Sequence, residues 1–132
     1  MKKWIVIMSL IVSICCDGCA NHQTSGDFGH FMIVKIKANG GESRTSTSLP
    51  QLTGKWSYSD DKAGTRITSN NITFEQVDHF LRSLYGVPSY GGKTFAGDVQ
   101  WVVPARTAGV SIWYYREGQA VKITILKPLE LN

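Results

Sequence analysis

Beyond residue 19 the chain contains no cysteine, because Cys15, Cys16 and Cys19 account for all three. A disulfide is therefore excluded from the rest of the chain, and so is any site that needs a thiolate as nucleophile or metal ligand. Stability there must come from packing. With 132 residues, 42% of them hydrophobic and 18% charged, the chain is long enough for one domain with a packed core.

The sequence also lacks an apolar run long enough to span a bilayer. Residues 4–14 are apolar except for Ser9 and Ser13, and they follow the basic pair Lys2 and Lys3. A basic segment followed by a short apolar segment is typical of an export signal. We therefore interpret residues 1–19 as a signal and expect an exported protein.

Two processing sites fit the end of this signal. Gly18-Cys19 resembles a lipoprotein junction, at which cleavage before Cys19 makes that cysteine the lipid attachment site. Gly18-Cys19-Ala20 also fits a small-x-small site cleaved after Ala20, which would release a free periplasmic or secreted protein. Residues 20–30 are polar and are interpreted as a tether. We favour the lipid-anchored form, held at the periplasmic face of a membrane in the cell envelope.

Concentrated charge is missing as well. The formal charge is only +4, and no run of five basic residues occurs, so a nucleic-acid partner is not expected. His22, His30 and His79 lack the spacing of a metal site, and no G-x-S-x-G segment is present. Asp60-Asp61 is interpreted as a turn. The sequence therefore predicts no metal, no cofactor and no catalytic site.

The strongest positive signal is a helix over about residues 74–85. Thr73 and Gln76 have the spacing of a capping box, and Gly86 supplies the residue past the helix end. Asp78 and Arg82 form an i,i+4 pair on the polar side. The apolar side is formed by residues at helical spacing: Phe74, Val77, Phe80, Leu81, Leu84 and Tyr85.

Six short strands are predicted around this helix. Alternating or β-rich segments place them at residues 31–37, 55–59, 65–69, 98–103, 109–116 and 120–127. In the first of them Met32, Val34 and Ile36 would share one face. The glycine-rich residues 87–97 are interpreted as a loop.

Short connections between these strands favour antiparallel pairing. The predicted fold is therefore a single α+β domain over residues 31–128, followed by a tail at residues 129–132. It consists of a mainly antiparallel sheet of about six short strands with one amphipathic helix packed on one face.

An aromatic strand face is the feature that suggests a function. Trp113 and Tyr115 alternate with core-type residues, and Lys122 falls on the matching face of the next strand. These side chains either cover the sheet as cross-strand pairs or pack under the loop at Gly86–Gly97, or they bind a protein or a glycan. With two residues of the glycine-rich segment added, the candidate binding surface is Trp113, Tyr115, Lys122, Tyr90 and Lys93.

Several features together are similar to small envelope lipoproteins of the BamE/SmpA type. They are the export signal, Gln76-Val77, Gly86-x-Pro88 and the segment Ile112-Trp113-Tyr114-Tyr115. The resemblance covers less than half of the chain and implies an accessory role in outer-membrane protein assembly. However, only one helix is evident and three strands precede it. The segment from Gln76 to Gly86 is also about a turn longer than the family pattern, so we do not assign the chain to that family.

These observations lead to one main hypothesis and two alternatives. The main hypothesis is a small exported, non-catalytic binding or accessory module whose partner is an envelope protein or cell-wall material. The first alternative is an inhibitor or immunity protein that acts against a secreted enzyme. The second is a hydrolase of an unrecognised type, which we favour least because no catalytic constellation is found.

Overall fold

The computed structural model describes residues 21–42, 44, 49–93 and 99–128, so the predicted signal at 1–19, Cys19 and the tail at 129–132 lie outside the described residues. The helices are α1 (Phe28–Ala38), α2 (Phe74–Tyr85) and α3 (Ala105–Ala108). The strands are β1 (His22–Asp27), β2 (Thr53–Asp60), β3 (Gly64–Ser69), β4 (Tyr90–Lys93), β5 (Val99–Val103), β6 (Ser111–Glu117) and β7 (Ala120–Leu126).

All seven strands pair in one antiparallel sheet, in the order β1-β2-β3-β7-β6-β5-β4. The α+β class with an antiparallel sheet is confirmed, with one strand more than the sequence predicts. The β2–β3 and β6–β7 hairpins and strand β5 lie where the sequence places them.

Helix α2 begins and ends as predicted. Gln76 N donates to Thr73 Oγ1 at 3.1 Å, and Thr73 N donates to Gln76 Oε1 at 2.9 Å, so the capping box is complete. At the other end Gly86 has φ +79° and its N–H donates to the Arg82 carbonyl at 2.8 Å. Five residues of the predicted apolar stripe are buried: Val77, Phe80, Leu81, Leu84 and Tyr85. Phe74 is half-buried and packs against the core.

The strand predicted at residues 31–37 is wrong, because these residues belong to helix α1. Asp27 caps the helix by accepting a hydrogen bond from His30 N at 3.0 Å. Met32 and Ile36 are buried, as both a strand and a helix would require. Val34 distinguishes the two, since it is 47% exposed where a strand would turn it inward with its neighbours.

Two further segments differ from the sequence interpretation, and both are edge strands. Residues 22–27 of the predicted tether pair with β2 as strand β1, and residues 28–30 begin α1. Within the predicted loop at 87–97, Tyr90–Lys93 pairs with β5 as strand β4. Polar residues and glycines carry little strand signal, so the pairing partner is what makes these segments extended.

The core lies on one face of the sheet, which we call the inner face. One row of residues crosses it in register from Tyr58 to Trp101 through Ile67, Ile123 and Tyr114. Two helices cover this row: α1 with Phe28, Met32 and Ile36, and α2 with its apolar side. A Cβ at Gly29 would lie 2.9 Å from Phe80, so the small residue allows the two helices to approach closely. The opposite face, which we call the open face, carries no helix of the described part of the chain.

Candidate binding surface on the open face

Two rows of side chains cross the open face in continuous register. In an antiparallel sheet, directly paired residues place their side chains on the same face. The first row runs over all seven strands: Gln23, Ser57, Thr68, Lys122, Tyr115, Gln100 and Gly92. The second row runs from β2 to β4: Ser59, Arg66, Thr124, Trp113, Val102 and Tyr90. The open face is thus polar at one end and aromatic at the other.

Four of the five residues predicted as a binding surface lie together at the aromatic end. Trp113 and Tyr115 are half-buried on β6, and Lys122 pairs directly with Tyr115. Tyr90 is 66% exposed on β4, separated from Trp113 only by Val102. Val102 is only 6% exposed although it does not belong to the core on the inner face. The flanking aromatic side chains therefore shield an apolar residue on a face that no described helix covers.

The fifth predicted residue, Lys93, lies on the other side of the sheet. It pairs with Val99, which shares the inner face with Trp101 two residues later. The sequence placed Lys93 with Tyr90 because both belong to one glycine-rich segment. Since Tyr90–Lys93 is a strand, residues three apart point to opposite faces.

The indole of Trp113 has an unsatisfied donor. Its Nε1 atom is buried and has no hydrogen-bond partner among the described residues. A buried N–H without an acceptor costs free energy comparable to a lost hydrogen bond. Trp56 Nε1 is in the same situation on the inner face, where the ring packs edge-on against Phe28 at 4.9 Å between centroids.

Two basic residues on the open face have acidic partners. Lys122 lies 3.6 Å from the Glu117 carboxylate, and Arg66 pairs with Asp61 at the β2–β3 turn. All of these side chains are partly exposed, so each ion pair adds little stability.

At the polar end, β1, β2 and β3 form an open-face groove with a volume of about 510 Å³. This is within the range of small-molecule sites, roughly 300–1,000 Å³. Among the described residues that line it, Lys55 is the only charged one and Trp56 the only aromatic one, and the others are polar: Gln23, Thr24, Ser25, Ser57, Thr68, Ser69, Asn70 and Asn71. This groove was not predicted from the sequence, because serine, threonine and asparagine without a specific spacing carry no specific signal.

Asp60, Asp61 and His22 have structural partners. Burial alone would raise the pKa of Asp60, but hydrogen bonds from Lys35 (2.8 Å) and Thr65 (2.6 Å) outweigh it, and the pKa lies below its usual value. Asp61 accepts hydrogen bonds from the backbone of Ala63 and Gly64, which lowers its pKa and holds the turn as predicted. His22 lies against Tyr58 with 5.1 Å between ring centroids.

The sequence predicted only part of a polar cluster on the inner face. The predicted Asp78–Arg82 pair is present, with Nε 2.9 Å from the carboxylate. Tyr114 Oη donates to the same carboxylate at 2.8 Å, and Arg82 lies 5.5 Å from the centre of the Trp101 ring. The pKa of Tyr114 is raised, mainly because the hydroxyl is buried and also because it donates a hydrogen bond to Asp78. The cluster joins α2 to β6, and no local pattern indicates a contact between residues 36 positions apart.

Within the described residues, no group of three or more histidine, cysteine or acidic side chains is arranged to hold a metal ion. None of the described helices is both long and apolar enough to cross a membrane. No family model, no curated protein and no solved structure matches the chain.

Proposed function

We propose that this protein is a non-catalytic binding module of the cell envelope, and that it binds its partner through the open face of its sheet. The observation that carries the proposal is the pair of rows on that face, which lead from a polar groove to Tyr115, Trp113 and Tyr90. Tyrosine and tryptophan are the residues most often found at the energetic centre of interfaces, because they present a large rigid surface with one polar tip.

The assignment as a binding module also has support on the inner face and at the turns. Asp60, Asp61 and Asp78 each accept hydrogen bonds that hold a turn, a strand or a helix in place. A carboxylate committed in this way is poorly placed to act as a general acid or base, since catalysis needs it to face a reacting group. The partner that we propose is an envelope protein or cell-wall material.

Site-specific photo-crosslinking tests where the partner binds. With a photoreactive phenylalanine in place of Tyr90, we expect a defined crosslinked product in intact cells. The matched position is Val34 on α1, which is 47% exposed and lies on a helix that packs on the inner face. We expect the product at position 90 to be absent at position 34.

A second substitution ties this product to the open face. Tyr115→Ala should lower the yield at position 90 by about tenfold, as loss of a central aromatic contact does. Lys37→Ala on the exposed side of α1 should leave the yield unchanged. Equal yields at both positions, or a yield that Tyr115→Ala does not change, would contradict the proposal. A captured secreted enzyme would point to the inhibitor alternative.

We propose further that Cys19 anchors the protein through a lipid, as the junction at Gly18-Cys19 suggests. Labelling with radioactive palmitate should mark the wild-type chain and not Cys19→Ala. Cys16→Ala is the matched control and should be labelled like the wild type. Equal labelling of wild type and Cys19→Ala would reject the anchor and leave cleavage after Ala20 as the explanation.

A further inference from the structure

We propose that the groove between β1, β2 and β3 binds an acidic oligosaccharide, whose carboxylate pairs with Lys55 and whose chain continues across the open face toward Tyr115. This inference rests on the proposed function, because it names the ligand class for the same face.

The groove contains one basic side chain. Among the described residues, Lys55 is the only charged one that lines the groove, and none of their ion pairs includes this lysine. The nearest acidic residue on β1 is Asp27, whose carboxylate caps α1 through His30 N. A lysine without an acidic partner in a concave polar site is complementary to an anion.

Hydrogen-bonding groups surround that lysine. Asn71 Oδ1 accepts from the Lys55 backbone N–H at 3.0 Å, which orients the amide and leaves its NH₂ group available. The Ser25, Ser57 and Thr68 hydroxyls make no side-chain hydrogen bond to the described residues. Hydroxyl and amide groups both donate and accept, so they match the hydroxyl groups of a sugar better than an apolar ligand.

The groove continues into the first row of the open face. From Ser57 on β2 the row passes Thr68 and Lys122 to Tyr115 on β6, a span of about 14 Å at about 4.8 Å per strand. A chain of sugars bound along this row would meet Lys122, which already pairs with Glu117 at 3.6 Å, and then an aromatic surface at Tyr115. An isolated small anion would use only the groove.

Calorimetric titration of the purified full-length protein tests the inference. The probes are tri-galacturonate, its methyl ester, and the disaccharide of N-acetylglucosamine and N-acetylmuramic acid. We expect at least one of the two acidic probes to bind and the methyl ester to bind at least about tenfold more weakly, because esterification removes the charge that Lys55 would pair with. Inorganic phosphate as competitor separates a site for any anion from a site for a sugar acid, and we expect it to compete weakly.

Three variants locate the binding. Lys55→Gln should weaken binding of the acidic probe by about tenfold or more, and Lys55→Arg should retain most of it. Lys62→Gln changes an exposed lysine of the β2–β3 turn outside the groove and should bind like the wild type. Failure of both acidic probes to bind, equal affinity for acid and ester, displacement by phosphate at equal concentration, or unchanged binding by Lys55→Gln would each overturn the inference.

The two proposals fail separately. If position 90 forms its crosslinked product but no acidic sugar binds, only the ligand class is wrong. If the sugar binds at Lys55 but no crosslinked product forms at position 90, the proposed role of the aromatic end is wrong.

Discussion

Tyr114 takes part both in the packing of the core and in a polar cluster. Its ring is fully buried in the central row of the inner face, yet its hydroxyl reaches the Asp78 carboxylate at 2.8 Å. Arg82 binds the same carboxylate and lies over Trp101, so one acidic side chain connects α2 to β6 and β5. A buried hydroxyl needs an acceptor, and Asp78 supplies a charged one.

Tyr114→Phe should lower the free energy of unfolding by about 1–2 kcal/mol, because it removes a hydrogen bond to a charged acceptor while keeping the ring. Urea denaturation followed by circular dichroism measures the change. Tyr90→Phe on the exposed strand β4 is the matched control and should change stability by less than about 0.5 kcal/mol. A loss no larger than that of the control would show that the hydrogen bond does not contribute.

The same hydroxyl predicts a dependence on alkaline pH. The pKa of Tyr114 in the folded protein is raised above the unfolded value of about 10. Below about pH 10 both states keep the proton and the contribution to stability is complete. Above it the unfolded state ionises while the folded state does not, so the free energy of unfolding falls. Tyr114→Phe should make this fall in unfolding free energy shallower. Part of the fall should remain, because burial also raises the pKa of Tyr85.

At the scale of the element, α1 shows how one pattern fits two structures. Met32 and Ile36 are four residues apart, a spacing that places them on one face in a strand and also in a helix. The Asp27 cap and the burial of Phe28 belong to the helix, whose register continues through Met32 to Ile36. Val34 is the residue at which the two structures predict opposite environments.

Alanine substitutions in α1 distinguish the helix from a strand. Met32→Ala and Ile36→Ala should each cost about 2–5 kcal/mol of unfolding free energy, since both side chains are fully buried. Val34→Ala should stay within about 0.5 kcal/mol, because the side chain faces solvent and alanine favours a helix. Thermal or urea denaturation measures all three. If Val34→Ala lowered the unfolding free energy as much as Met32→Ala, the strand prediction would be favoured instead.

At the scale of the whole molecule, the two edges of the sheet are its least specified parts. Strand β1 is mostly polar, and strand β4 contains Gly91 and Gly92 with all four residues exposed. Gly91 lies under the Trp101 ring, where an added Cβ would be 2.0 Å from ring carbons. The edge therefore depends on close approach of backbone to an aromatic ring instead of on strand propensity.

Removal of β1 tests whether the polar N-terminal segment is a tether or part of the fold. A chain that begins at Asp27 keeps the cap of α1 but loses His22–Gly26 and exposes the edge of β2 beside Trp56. We expect it to unfold at a lower urea concentration and to aggregate more than a chain that begins at Asn21, because an uncovered edge strand invites pairing. Equal stability and solubility of the two chains would favour the tether.

The sequence by itself determined the features whose cause lies within a few residues. Thr73 and Gln76 specify the start of α2, the alternation from residue 111 to 126 specifies the β6–β7 hairpin, and Asp61 specifies the turn before β3. The same alternation placed Trp113, Tyr115 and Lys122 on one face. Each of these depends on local dihedral preferences and on neighbours that the chain brings together unaided.

Only the tertiary structure decided the features whose partners are distant along the chain. Strand β1 exists because β2, some thirty residues later in the chain, pairs with it. Helix α1 is a helix because its buried side meets Phe80 and the sheet. Lys93 lies outside the candidate binding surface because β4 pairs with β5. The groove at Lys55 likewise needs three strands side by side. A polar or ambiguous segment takes the structure that satisfies its backbone and buries its apolar side, and both depend on the rest of the fold.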